Sequence, residues 1–226
     1  MASPSPRSVL GTASGTVDAT SFTLPFGTHD VGDTLFAIVL ADAIPVVSCT
    51  GWTNIVAVNA AGSQAKLIFF RRDTVAASDS ETNPTFISDS AQQFAGYALA
   101  IPGTALLNAE GTGTNGSSTT PDAPNFSPSA GSQDYLWIAI AGTDNGSGNT
   151  FSGWPTGYST GDYVANGAGA GVTLAIGTKE STASSDDPSA FTAALNEQWA
   201  GVTVAIWETP PAPAPAKGGS LMMMGI

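Results

Sequence analysis

The sequence has little of what most catalytic and metal sites require. The 226-residue chain contains one cysteine, Cys49, and one histidine, His29. An intrachain disulfide is therefore impossible, and a zinc site built from Cys and His ligands is excluded. Nucleophilic catalysis would have to use His29, which lies in the turn-like segment 27–30, and no Gly-x-Ser-x-Gly nucleophile elbow occurs. We therefore predict no enzymatic activity, no cofactor and no resident metal.

Oxygen ligands and paired carboxylates are the remaining routes to such chemistry. Residues 144–149 and 184–187 are rich in Asp, Asn and Ser, but neither segment has the spacing of an EF-hand loop. Both are typical of hairpin turns, because Asp, Asn and Gly adopt turn conformations without an ion. Asp79 and Glu81 form a carboxylate pair, but neighbours in a turn do not predict the separation that glycoside hydrolysis needs.

Basic residues are also scarce. Six Lys and Arg residues oppose 18 Asp and Glu residues, so the net charge is −12. This field repels phosphate backbones and anionic membrane surfaces, which excludes nucleic acid as a partner. No segment approaches the ~18 apolar residues of a membrane span, and residues 1–7 contain no apolar stretch typical of a signal peptide. We expect a protein made in a cytoplasm, without a membrane partner.

The abundant residues favour strands. Charged residues make up only 11% of the chain, which removes most strong helix formers, whereas Gly, Ser, Thr, Ala and Asn are common. No window shows helical periodicity beyond two turns. The composition predicts an all-β fold with little helix.

The second half of the chain repeats the first. Three segments return in the same order about 101 to 105 positions later: residues 33–40 as 134–141, Gly51-Trp52 as Gly153-Trp154, and residues 92–101 as 197–206. A repeat of this length indicates two copies of one supersecondary unit and not a short-period solenoid.

Three regions follow from this repeat. Residues 1–16 are rich in Ser, Pro and Gly and are predicted to be an N-terminal arm. Residues 17–208 form a duplicated β-sandwich or jelly roll, with copies at about 17–103 and 121–208, joined by a surface connection at 108–122. One domain is favoured because each copy has strand edges and an apolar face that need covering. Two small tandem β domains are the alternative.

The aromatic residues separate into core and surface candidates. Phe36 and Trp137 occupy equivalent places in the aligned strands, so they are predicted to be core residues. Trp154 and Tyr158 flank Pro155 in a Gly-rich turn and are the candidates for surface recognition.

The C-terminal region, 209–226, differs sharply from the rest. Alternating Pro and Ala at 210–216 predict an extended polyproline-like stalk, and 217–220 form a flexible joint. An apolar plug follows, with the candidate anchoring residues Leu221, Met222, Met223, Met224 and Ile226. An exposed apolar plug needs a groove, and we expect one on another subunit. Folding back onto its own domain is the alternative.

The repeated pattern resembles a known group of proteins. Its elements are an apolar run at 32–40, Gly51-Trp52, an apolar strand ending in basic residues at 67–72, and an Ala-Gly strand at 95–101. It is similar to the β-sandwich structural proteins of tailed bacteriophages, which occur as head decoration proteins, head fibres or tail-associated proteins. The resemblance implies a virion component without catalysis, commonly trimeric, with terminal arms that grip the capsid or tail.

Two functional hypotheses follow. The first is a capsid decoration or cement protein that binds the major capsid or tail protein through its terminal arms and acts as a homo-oligomer, with a trimer favoured. The second is a receptor- or glycan-binding module of a head or tail fibre, in which Trp154 and Tyr158 contact a host-surface glycan. Both hypotheses place the protein in the virion.

Overall fold

The computed structural model describes residues 3–5, 9–27, 29–73, 83–102, 107–145, 149–159, 161–166 and 171–209. Within these ranges the chain forms thirteen strands and one short 3₁₀ turn at Ala61–Ser63. The first half contributes β1 (Val9–Thr23), β2 (Thr34–Asp42), β3 (Val47–Ser48), β4 (Thr53–Asn59), β5 (Ala65–Asp73) and β6 (Thr85–Ile101). The second half contributes β7 (Leu107–Ser118), β8 (Gln133–Asp144), β9 (Phe151–Gly153), β10 (Tyr163–Ala165), β11 (Val172–Ala183), β12 (Thr192–Ala193) and β13 (Glu197–Glu208).

Each half of the chain forms one antiparallel sheet, and the two sheets have the same strand order. The first sheet runs β1-β6-β2-β5-β4, and the second runs β7-β13-β8-β11-β10. In the first half, the short β3 pairs with the start of β6. In the second half, the short β9 pairs with β12, which lies just before β13 in the chain. The prediction of an all-β sandwich built from two pseudo-repeated halves is confirmed. Within the described residues the halves exchange no strands, and each supplies a whole sheet.

The two sheets pack face to face over one central core. Its members are the fully buried apolar side chains of alternating positions in the central strands, as expected when both inner faces are dry. The first sheet supplies Phe36, Ile38, Leu40, Leu67, Phe69, Tyr97 and Leu99, and the second supplies Leu136, Ile138, Ile140, Leu174, Ile176, Val202, Val204 and Ile206.

The outer face of each sheet is covered as well. On the first sheet, Phe22, Leu24, Phe26, Trp52 and Phe86 pack over the outward residues of β2 and β5 and form the first outer cluster. On the second sheet, residues from the segments around Ala123, Phe151, Tyr158 and Phe191 pack over Tyr135 and Trp137 and form the second outer cluster. Because the central strands are buried on both faces, they have continuous apolar runs instead of alternation.

The pairing register corrects the alignment of the first repeated strand by one residue. Ile38 lies opposite Tyr97 in the first sheet, and Ile140 lies opposite Val202 in the second. Tyr97 and Val202 are equivalent residues, so Ile38 corresponds to Ile140, 102 positions later and not 101. A one-residue slip moves every side chain to the other face of a strand.

This slip made the equivalence of Phe36 and Trp137 wrong. Phe36 lies in the central core, whereas Trp137 lies in the second outer cluster. Both are fully buried, so the prediction that they are core residues is confirmed.

The predicted N-terminal arm is wrong for residues 9–16, which belong to β1 and pair with β6. After Val9 and Leu10 its residues are Gly, Ala, Ser and Thr, so they gave no apolar alternation. The part of the strand from Gly11 to Thr16 contains no buried residue and is held by backbone pairing with β6 at the edge of the sheet.

The predicted surface connection at 108–122 is also wrong for most of its length. Leu107–Ser118 is a regular strand, β7, that pairs with β13. Its glycines allow close approach of the facing sheet: a Cβ at Gly111 would lie 3.0 Å from a Val56 methyl carbon, and one at Gly113 would lie 2.9 Å from the Val58 Cβ. Glycine thus serves packing here and not a turn.

Candidate functional site

The predicted anchoring residues, Leu221, Met222, Met223, Met224 and Ile226, lie outside the described residues. The last described residue is Thr209, which follows the end of β13. In the sequence, residues 210–226 therefore follow a central strand of the second sheet.

The predicted recognition pair, Trp154 and Tyr158, lies against the second outer cluster. Trp154 is partly buried, and its indole N–H donates to the Ile176 carbonyl oxygen at 3.0 Å. Tyr158 is only 8% exposed, so it offers no open ring face and the expectation of a surface residue is wrong for it. Trp154 alone keeps a partly exposed ring.

Polar contacts hold Tyr158 in its buried position. Its hydroxyl donates to an Asp186 carboxylate oxygen, and Lys179 forms an ion pair with the same carboxylate. The Lys179 ammonium also lies 5.5 Å from the centre of the Tyr158 ring. Burial, and then the hydrogen bond to Asp186, raise the pKa of Tyr158 well above its usual range. This contact fixes the 155–159 turn on the sheet and resembles a structural contact more than a binding site.

His29 and Cys49 are the two side chains that the sequence offered for nucleophilic catalysis. His29 is partly buried, and its Nδ1 lies 3.5 Å from the Phe26 carbonyl oxygen. Burial raises the pKa of the half-buried Cys49 thiol, which opposes formation of the nucleophilic thiolate. Among the described residues there is no cluster of three or more His, Cys, Asp or Glu side chains able to hold a metal. Asp79 and Glu81 lie outside them.

A shallow polar depression of 190 Å³ lies at the β4–β5 edge of the first sheet. Gly51, Thr53, Ile55, Arg71 and Asp73 line it, and Arg71 donates from Nε to Asp73 Oδ1 at 2.8 Å. Thr53, Arg71 and Asp73 can hydrogen-bond a small polar group, and Ile55 adds one apolar contact. The volume is below the usual range of small-molecule pockets.

Carboxylates gather at the end of the sandwich where β2 and β8 finish. Asp42 and Asp144, which are equivalent in the corrected alignment, end these two strands, and Glu197 begins β13. Asn145 Nδ2 donates to Glu197 Oε1 at 3.1 Å. Partial burial, followed by the charges of Asp42 and Glu197, raises the pKa of Asp144 to about 6.

We predict that Asp144 makes stability fall as the pH rises from about 4 through about 6. The folded protein holds this proton more tightly than the unfolded chain, so ionisation in that window favours unfolding. Asp144→Asn should flatten this slope and stabilise the protein at pH 7 by on the order of 1 kcal/mol, after discounting for solvent screening. Urea unfolding as a function of pH measures both effects.

Glu180→Gln is the matched control, because Glu180 is an exposed carboxylate of β11 outside this cluster. An unchanged pH slope in Asp144→Asn would contradict the prediction.

Comparisons with known proteins identify no relative: no family model, no curated protein and no solved structure matches the chain. Among the described residues there is no helix of the length and hydropathy needed to span a bilayer.

Proposed function

We propose that the protein is a non-enzymatic structural component of a bacteriophage virion, a capsid decoration or cement protein anchored to neighbouring subunits by its C-terminal plug. The observation that carries this proposal is the contrast between the body and the tail of the chain. The central core and both outer faces of the described body are packed with apolar side chains. The most apolar short segment beyond this body, 221–226, follows a stalk of Pro and Ala.

The stalk gives the plug considerable reach. The stalk, 210–216, would span about 22 Å in an extended polyproline-like path, at ~3.1 Å per residue, and the flexible joint 217–220 adds to that reach. A spacer of that length brings an apolar group to a groove on a neighbouring subunit and adds a second attachment to that of the body. Two weak attachments on one lattice combine to a much higher avidity.

The test is incorporation of a truncated protein into particles of the phage that encodes it. Deletion of 218–226 should leave the β-sandwich folded, as judged by its thermal unfolding, and reduce incorporation at least tenfold. A triple change of Met222, Met223 and Met224 to Ser keeps the length of the tail and should give the same loss. Replacing Lys217 by Ser is the matched control and should leave incorporation unchanged. Normal incorporation of the deletion variant would overturn the anchor role.

The alternative is a receptor- or glycan-binding module of a head or tail fibre. The partly exposed Trp154 and the depression lined by Thr53, Arg71 and Asp73 support it. They lie on different sheets, so they would be separate contacts. A glycan array should show binding that Trp154→Ala or Arg71→Ala removes, and a blank array would count against this alternative.

A further inference from the structure

The four edge strands of the sandwich are not equally protected against pairing with another strand. Of the first sheet's edges, β1 has three register irregularities against β6, and β4 has one against β5. In the second sheet, β10 has only three residues. By contrast, β7 pairs with β13 over all twelve of its residues without a shift. Bulges and short lengths are common protections of edge strands, and β7 has neither.

The alternation of hydrogen bonds across the second sheet identifies which residues of β7 point their N–H and C=O groups outward. Thr178 and Val172 of β11 accept bonds on the outer side of that strand, from Ser159 and Asn166. Residues of antiparallel strands alternate in the side to which they bond. When this alternation is followed through the registers of β11, β8 and β13, the even-numbered residues of β7 are the ones that hydrogen-bond to β13.

The six odd-numbered residues of β7 therefore direct their N–H and C=O groups away from the sheet: Leu107, Ala109, Gly111, Gly113, Asn115 and Ser117. Within the described part of the chain, β13 is the only strand that pairs with β7.

The side chains of β7 do not block its edge. The strand contains no Pro and no Lys, and its one charged residue, Glu110, accepts hydrogen bonds from the backbone N–H of Ser129 at 2.9 Å and from its hydroxyl. This carboxylate lies over the outer face, because its partner Ala205 belongs to the second outer cluster. Gly, Ser, Thr and Asn make up most of the rest, so another backbone can approach closely.

We propose that β7 is a strand-addition surface and that its occupant is β7 of a second copy of this chain, paired antiparallel about a twofold axis. A register centred on Gly113 pairs five of these six residues: Ala109 with Ser117, Gly111 with Asn115, and Gly113 with its own counterpart, whereas Leu107 lies beyond the paired stretch. Each such pair exchanges two hydrogen bonds, giving about ten between the copies. The second sheet then continues across the dimer.

The area of this edge is sufficient for a second copy, and the register avoids a direct clash of like charges. Two chains of net charge −12 repel each other, so an interface between them has to exclude facing like charges. In this register Glu110 faces Gly116 of the second copy and not another carboxylate. Twelve residues extend over about 40 Å. With β4 stacked beside β7, the edge is two layers deep and offers about 600–800 Å² per copy, close to a standard interface.

The proposal is independent of the phage assignment and differs from the trimer that the resemblance implies. Light scattering across a concentration series should give twice the 22.7 kDa mass of one chain. Asn115→Pro should give a monomer that stays folded, as judged by a cooperative thermal transition, because it removes an outward N–H and places a ring on the edge without losing a bond to β13. Asn115→Ala, which keeps the N–H, should remain a dimer.

A monomeric wild-type protein, a trimer, or a dimer that survives Asn115→Pro would overturn the proposal. Binding of a strand from another protein instead of a second copy would appear as a monomer in the purified sample and would overturn it too.

Cysteine cross-linking tests the register even if Asn115→Pro does not fold. In a Cys49→Ala background, Thr112→Cys and Thr114→Cys should form a disulfide when the two variants are mixed, since these residues face each other in a non-hydrogen-bonded pair with Cα atoms about 4.5 Å apart. Neither variant should cross-link alone, because the same position in the two copies lies beyond ~7 Å. Failure of the mixture to cross-link would contradict the register.

Discussion

Phe69→Ala is expected to lower the free energy of unfolding by about 3–5 kcal/mol. Phe69 is fully buried between the two sheets, and its ring lies 5.4 Å from that of Phe36. The truncation removes apolar contacts from the centre of the core and leaves a cavity that paired sheets cannot easily close. Urea unfolding followed by tryptophan emission measures the loss.

The control for Phe69→Ala is Val17→Ala in β1. Val17 is 75% exposed, so its truncation should change the unfolding free energy by no more than about 0.5 kcal/mol. A loss below 1 kcal/mol for Phe69→Ala would show that the two sheets do not share a tightly packed core.

Gly201→Ala is expected to cost about 2–3 kcal/mol, even though it adds only one methyl group. A Cβ at Gly201 would lie 2.7 Å from the Asp122 carbonyl oxygen, within the segment that crosses the outer face of the second sheet. This segment is held by a 2.6 Å hydrogen bond from the Thr203 hydroxyl to the Pro124 carbonyl oxygen. Because the obstacle is backbone, the whole segment has to move.

The equivalent change in the first sheet should be milder. A Cβ at Gly96 would lie 2.9 Å from the Phe22 ring edge, which is a side chain, and 3.1 Å from the Ile38 carbonyl oxygen, which is farther than the 2.7 Å backbone approach at Gly201. Gly15→Ala is the neutral control, since the nearest atom to its Cβ would be 4.0 Å away. Equal stability of Gly201→Ala and Gly15→Ala in urea would contradict this reading of the repeated Ala-Gly pair.

The central strands could be predicted from the sequence because they are buried on both faces. The apolar runs of β2 and β8 and the Ala-Gly strands β6 and β13 carry a dense signal, and the repeat links them. The face of the sheet on which each side chain lies is harder to predict. Successive side chains alternate between faces, so the face can be assigned only if the alignment of the two repeats is known to the residue. In a run apolar at every position, hydrophobicity does not distinguish an offset of 101 from 102, and the face of Trp137 was assigned wrongly for that reason.

The edge strands were missed for a different physical reason. Residues of β1 and β7 bury little apolar surface, and their stability comes from backbone hydrogen bonds that any composition can make. One signal for β7 was available: Gly15 and Gly116 both lie opposite the equivalent aromatic residues Phe94 and Trp199. Extending the repeat upstream of Asp33 to these glycines would have found it.

The candidate site, too, could be predicted only in part from the sequence. Tyr158 lies in a turn whose Gly and Pro content indicates the surface, but its hydroxyl is bound by Asp186, 28 positions away in sequence. Such a long-range polar contact leaves no local pattern. The exposure of a turn residue therefore could not be predicted from the turn alone.

The central claim is that the two repeated halves are the two sheets of one cooperative sandwich. Hydrogen exchange of the wild-type and Phe69→Ala proteins, measured by mass spectrometry, tests it most directly. Phe69 belongs to the first sheet, whereas peptides from β8 and β13 report on the second. The shared core predicts that protection falls by the same free energy in β2, β8 and β13, because the sheets open together. Loss of protection in β2 and β6 with β8 and β13 unchanged would contradict it and would show two independent units.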